Sequence, residues 1–118
     1  AQILAEAQKY IGCPYRAGGS SPSGFDCAGL VYYVLNQLGL APYRSPADQY
    51  RMGTPVDKSS LIPGDLVFFQ GTYDTTGASH VGIYVGNNMM LHCGDPIHYA
   101  SIDTSYWRSH FLQFGRLP

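Results

Sequence analysis

Residues 79–94 read SHVGIYVGNNMMLHCG, and the class of the fold turns on how they pair. Val81, Ile83 and Val85 alternate with His80, Gly82 and Tyr84, the period of two that marks a half-buried strand. Residues 88–94, NMMLHCG, form a second run, and Gly86-Asn87-Asn88 between the two is a hairpin signal. Two registers are open. A three-residue loop sets Val85 against Met89 and His92 against Gly82, so that His80 and His92 become diagonal neighbours about 7–8 Å apart on one face. A two-residue Asn87-Asn88 turn shifts the pairing by one and puts Cys93 where His92 would stand. Gly82 would leave room beside His80.

The strand period extends on both sides of this hairpin. LVFFQ (66–70) is a dense strand, followed by the turn-rich GTYDTTGA, and residues 97–102 fit another strand. Tyr106 to His110 fit one helical turn and FLQFGRL a last strand. Before Pro63-Gly64 the period is helical. In AQILAEAQKYIG a stripe of Ile3, Leu4, Ala7, Tyr10 and Ile11 is closed by Gly12. CPYRAGGSSPSG (13–24) reads as a long loop, the kind that more often carries function than merely connects. FDCAGLVYYVLNQLGL reads as a buried helix with Asp26 as N-cap, a wide apolar face and Gly39 at its end. Residues 46–53, PADQYRMG, fit a short helix with Pro46 in its first turn. Helices first and a strand meander after give an α+β class with an antiparallel sheet.

The 118 residues suit one domain with one core, expected to span 1–118, and no repeat or linker divides them. The chain starts at Ala1 rather than Met, the expectation being a domain excised or processed from a longer protein. Seven Lys plus Arg against eight Asp plus Glu leave a net charge of −1, so no basic footprint for nucleic acid or an anionic membrane is present. Only 13% of residues are charged, about half the usual 25% or so, and hydroxyls, amides and ten Tyr supply the polar surface. No apolar run approaches the roughly 18 residues of a spanning helix. Three Cys allow at most one disulfide, so at least one thiol needs an explanation.

Cys27 supplies one. It stands at the first turn of the best helix, where unpaired N–H groups and the helix dipole favour an anion, and a thiolate there has a lowered pKa. The same N–H groups can hold an oxyanion. Alone, Cys27 reads equally as a small apolar residue packed in a helix. A nucleophilic Cys needs a base, and under the three-residue register His80 is that base and His92 the group that orients it. Cys27, His80, His92 and Cys93 are zinc-ligand types, but no paired CxxC or HxxxH spacing accompanies them, and neither metal nor cofactor is expected. His98 and His110 stand alone, Cys13 and Cys93 read as buried thiols, and Asp65 in PGDLVFF reads as fixing a strand entry.

GCPYRAGG, GFDCAGLVYYVLNQLG, IPGDLVFF and SHVGIYVGNNMMLHCG, in that order, resemble the NlpC-type bacterial cell-wall cysteine peptidases. The resemblance runs from Ala1 to about Gly94. It implies a compact papain-like α+β fold, with N-terminal helices packed on a small antiparallel sheet. It also implies hydrolysis of peptidoglycan stem peptides between D-γ-glutamyl and a diamino acid such as meso-diaminopimelate or Lys. By position, Cys27 matches the family's nucleophile, His80 its base and His92 the polar third residue. Tyr15 matches a Tyr that lines the site and helps hold the oxyanion, and Asp26 and Ser79 match positions that receive the L-Ala–D-Glu portion. Without the resemblance, Asp26 reads as the N-cap, Tyr15 as loop packing and Ser79 as a strand end. Ala28 departs from the family's usual Ser after the nucleophile, a residue that helps bind a free L-Ala amine, and points instead to stems still attached to the glycan.

The expected function is therefore a peptidoglycan endopeptidase working through a Cys-His-His triad and an acyl-enzyme. It would act outside the cytoplasm, in the cell wall or secreted, with wall-binding or lytic domains outside this chain. Its partner is the stem peptide, with no nucleic acid and no membrane span. An acyl- or amidotransferase of the same fold, or an inactive wall-binding module, are the competing readings.

Overall fold

The computed structural model describes residues 2–40, 43–94 and 96–117. Helix α1 (Gln2–Gln8) and helix α2 (Cys27–Gln37) lie against a six-stranded antiparallel sheet. The strands are β3 (Thr54–Val56), β4 (Leu66–Gln70), β5 (Ala78–Gly86), β6 (Met89–Cys93), β7 (Ile97–Ser101) and β8 (Phe111–Arg116). Their order is β3-β8-β4-β5-β6-β7, so the last strand inserts beside the first long one. Helices α3 (Pro46–Met52) and α4 (Ser105–His110) complete the α+β architecture that the patterning predicts. No helix among the described residues is long and apolar enough to cross a membrane.

Alternation along each strand sorts the core into two layers. Leu66, Phe68, Val81, Ile83, Leu91 and Cys93 face the helices and join Leu30, Val31, Val34 and Leu35 of α2. Val67, Phe69, Met90 and Phe114 face the other way, packed by Tyr84 and Trp107. Tyr10, Phe25 and Tyr33 meet edge-to-face, with centroids 5.3–5.6 Å apart, and tie the turn after α1 to α2. Each such pair adds about 0.5–1.5 kcal/mol beyond area burial.

Several elements differ from the sequence reading. The 13–24 segment is not a bare loop: Ser20–Ser21 (β1) and Gly24–Phe25 (β2) form a two-residue ribbon, and Tyr15 bridges Phe25. The three-residue β3 and a 3-10 turn at Lys58–Ser60 are additional. Short strands with a Pro inside, here Pro55, carry little pattern to read.

The hairpin resolves the two registers by combining them. Gly86 pairs with Met89, leaving Asn87 and Asn88 as a two-residue turn, both at positive φ (53° and 59°) as a type I′ turn requires. One residue further back, Val85 has no partner, and this bulge restores the pairing to Tyr84 with Met90 and Gly82 with His92. The space beside Gly82 does not serve His80. A Cβ there would run into the Met90 side chain, which fills it.

Asp65 fixes the entry to β4. It is 2% exposed, accepts from the Ile62 N–H at 3.0 Å and takes two bonds from the Arg116 guanidinium at 2.7 and 2.8 Å. Asp65→Asn keeps the shape but loses the charge-assisted pair. Unfolding by urea should show a loss of about 1.5–3 kcal/mol.

Candidate active site

Asp26 starts α2 with extended backbone (φ −95°, ψ 179°), and its Oδ1 accepts from the Gly29 N–H at 2.6 Å. Cys27 is therefore the first helical residue, as the sequence predicts. Gly29 admits the loop: a side chain there would strike the Gly19 carbonyl, so the 17–19 turn seats directly on the start of the helix. From this turn the Gly18 N–H donates to Asp26 Oδ2 at 3.2 Å.

The Cys27 sulfur lies against β5. Its S–H points at the Ser79 carbonyl at 4.0 Å, and the Val81 backbone hydrogen-bonds it as well. The sulfur thus touches main chain on both sides of His80. Burial pushes the Cys27 thiol up, opposed by hydrogen bonds from the backbone of Val81, Ala28 and Cys27, while the neighbouring Asp26 charge adds to the rise. The lowered pKa expected from the helix terminus does not prevail. Desolvation outweighs a dipole equivalent to only about half a charge.

Ser79 reaches the sulfur because it is a bulge. Phe69 pairs with His80 and Gln70 with Ala78, leaving Ser79 as the extra residue. Bulges commonly re-aim groups next to functional sites. The Ser79 hydroxyl is buried and already engaged, lying 2.6 Å from Thr72 Oγ1 and accepting from the Thr72 N–H at 3.1 Å. Its ties close the 71–77 loop.

His80 and His92 meet. His80 Nε2 lies 3.0 Å from His92 Nδ1, and the ring centroids are 5.2 Å apart. Burial alone lowers His80 to about 4. His92, 7% exposed, is lowered to about 3 by burial first and then by His80 and His98. Both rings are neutral at pH 7. One of the two facing nitrogens then carries the proton of the shared hydrogen bond.

Tyr15, Asp26, Cys27, Arg44, Tyr73 and Ser79 line one cleft of about 530 Å³. Tyr15 stands half-exposed at its rim. Burial and the charges of Asp26 and Cys27 push its phenol up, so it keeps its proton and can donate. Asp26 does more than cap. Arg44 Nη1 donates to Oδ1 and Nη2 to Oδ2, each at 3.1 Å, so both carboxylate oxygens are occupied. Arg44 is a residue the sequence reading missed, because a lone Arg before Ser45-Pro46 has no spacing that announces its partner. Ala28 is buried, and its carbonyl accepts from Gln49 Nε2 at 3.1 Å.

The other singled-out residues lie outside the cleft. His98 does not stand alone: it pairs with His92 across β6–β7, with ring centroids 4.9 Å apart. His110 Nδ1 donates to the Gln70 carbonyl at 2.8 Å. Cys13 is only half-buried, Cys93 is buried with its thiol on the Phe25 carbonyl, and no disulfide joins any of the three cysteines. Among the described residues no group of three or more His, Cys, Asp or Glu is placed to hold a metal.

Known proteins resemble this chain over most of its length. The NlpC/P60 family model matches residues 12–116. A bifunctional muramidase/DL-endopeptidase, CwlT, of Bacillus subtilis (strain 168) is 42% identical over 117 residues, which is 98% of this chain and 36% of that protein. A gamma-DL-glutamyl hydrolase of the same organism is 43% identical over 118 residues, covering 97% of this chain and 28% of that protein. The chain thus spans about a third or less of these relatives' lengths. An NLP/P60-family protein similar to a lipoprotein, from Staphylococcus aureus subsp. aureus Mu50, superposes with a TM-score of 0.92 at 38% identity, covering 98% of this chain and 40% of its own. The α+β fold, the ordered motifs and these matches converge, and the chain belongs to the NlpC/P60 family.

Proposed function

We propose that the chain is a single catalytic cysteine peptidase domain that hydrolyses peptidoglycan stem peptides between D-γ-glutamyl and a diamino acid. The observation that carries this reading is the Cys27 sulfur seated on the main chain around His80, whose ring is held at 3.0 Å by His92. The relatives named as a DL-endopeptidase and a gamma-DL-glutamyl hydrolase support the reaction class. On this reading the domain works outside the cytoplasm, in the wall or secreted, beside wall-binding or lytic domains beyond this chain.

The chemistry follows from which nitrogen is free. With His80 Nε2–H donating to His92 Nδ1, His80 Nδ1 is the base. It takes the Cys27 proton as the sulfur attacks the γ-carbonyl of D-Glu, and the carbonyl oxygen becomes an oxyanion. The Cys27 N–H at the helix start and the Tyr15 hydroxyl are the donors for that charge. The imidazolium then protonates the leaving amine of the diamino acid, and a thioester remains on Cys27. A water that gives its proton to His80 Nδ1 hydrolyses the thioester and frees the sulfur. Because the resting thiol is pushed up and His80 is held low, the pair starts neutral. Proton transfer accompanies attack rather than preceding it.

His80 can accept a proton only while neutral. The profile of kcat/KM should therefore lose activity as pH falls through about 4, well below the ordinary histidine value near 6.5. Steady-state rates between pH 3 and 8 check this, and an acid limb at 6.5 would contradict it.

Asp26 is already paired with Arg44, and Ala28 brings no hydroxyl, so a free L-Ala amine finds no unpaired carboxylate at these two positions. Stems still joined to glycan are the expected substrate. A purified disaccharide-tetrapeptide, incubated with and without an added amine acceptor, tests the reading by mass. The expected product is disaccharide-L-Ala-D-Glu as the free acid under both conditions. Uncut substrate, or product only as the acceptor amide, would overturn hydrolysis in favour of a binding module or a transferase.

A further inference from the structure

We propose that Trp107 is a positioning residue of the candidate triad, its indole face holding the His80 ring and stabilising the positive charge that develops there during acyl transfer. This rests on the assignment of His80 as the base.

The indole stacks on His80, with centroids 5.1 Å apart and planes 26° from parallel. It meets His92 edge-on at 5.5 Å and 85°, so one ring contacts both partners of the 3.0 Å hydrogen bond and screens it. Local structure fixes the ring in turn. Thr104 Oγ1 caps α4 by accepting from the backbone N–H of Trp107 at 3.2 Å. Arg108 and Asp103 pair across the same turn at 2.5 Å. Phe69 and Tyr106 hold the indole at 4.5 and 4.9 Å. This six-residue helix therefore delivers one side chain to the base.

The chemistry gives that contact a task. His80 begins neutral in a buried site and must become an imidazolium within the catalytic cycle. A cation within about 6 Å of a ring face is attracted by its quadrupole, indole most strongly, and the attraction grows when water is excluded. Among the described residues, the titratable groups around His80 are His92, with His98 behind it, and Cys27 on the assignment above. From β4 and α4, Phe69 and Trp107 offer rings rather than charges. Among the described residues no carboxylate is seen to bond the triad histidines, and the indole is an aromatic face in direct contact with both.

Two variants separate positioning from bulk. Trp107→Leu keeps apolar volume and removes the face, whereas Trp107→Phe keeps a smaller face. Trp107→Leu should lower kcat about 3- to 30-fold, with KM within about twofold and the acid limb moved to lower pH. Trp107→Phe should recover part of the loss. Equal losses in both variants, or a Trp107→Leu enzyme with the parent's kcat and pH profile, would overturn the proposal. The wild-type protein gives a readout independent of variant folding. Trp107 is the sole tryptophan, and a stacked imidazolium quenches indole emission. Emission should fall as pH drops through about 4, with far-UV dichroism constant, and His80→Gln should abolish that step. An emission unchanged between pH 7 and 3 would also overturn the proposal. Cys27→Ala distinguishes the layers. If it is fully active, the catalytic reading and this proposal fall together. If it is inactive while Trp107→Leu behaves as wild type, only this proposal falls.

Discussion

Cys27→Ala should abolish stem-peptide hydrolysis, lowering kcat on the order of 10⁴-fold or more, since a nucleophile's loss leaves only binding and oxyanion stabilisation. The protein should nevertheless fold as before. The one hydrogen bond the thiol donates is a weak S–H···O contact of 4.0 Å to Ser79, and alanine fits the first turn of α2. Thermal unfolding and muropeptide turnover on the same sample check both halves. A variant inactive only because it is unfolded would not support the assignment. A folded variant with wild-type turnover would refute it.

His80→Gln should be nearly as damaging, with kcat down about 10²–10⁴-fold. Glutamine can still bond His92 but cannot carry a proton away from sulfur. The loss should be concentrated in kcat, with KM changed little, because His80 is half-buried beneath Trp107 rather than spread along the cleft. Single-turnover kinetics on a purified muropeptide measure this directly. Combining His80→Gln with Cys27→Ala should cost scarcely more than Cys27→Ala alone, since residues that act as one unit are not additive. Additive losses would mean that the two side chains act separately.

These two assignments differ in how openly the sequence carried them. Cys27 was legible because an N-cap, an apolar helical face and a Gly-rich approach converge on one position. His80 and His92 were legible only as a conditional pair. Their meeting depends on the bulge at Val85, which lets a two-residue turn and the His92–Gly82 pairing coexist. Counting turn residues cannot reveal a bulge. β4, β5 and β6 were readable because both layers of the sheet are apolar and the period is strict. β3, with three residues and a Pro, had no period to show. Arg44 and Trp107 escaped for a shared reason: each matters through a partner far along the chain, Asp26 for one and His80 for the other. The thiol's upward shift was equally hidden. A helix terminus can be seen in sequence, but burial of the sulfur against β5 exists only once the sheet is formed.

The cleft shares the low charge of the chain. The cleft offers one pre-paired Asp26–Arg44 couple, two tyrosines and main chain rather than a charged patch. On the proposed reading, such a groove would recognise a peptide by shape and hydrogen bonds, with little dependence on ionic strength.

The most direct measurement is the mass list of fragments released from intact walls of both the Lys and the diaminopimelate type, by the wild-type protein and by folded Cys27→Ala in parallel. The account predicts new ends at D-Glu and at the diamino acid, from wild type only. Cuts at another bond, or the same fragments from Cys27→Ala, would contradict it.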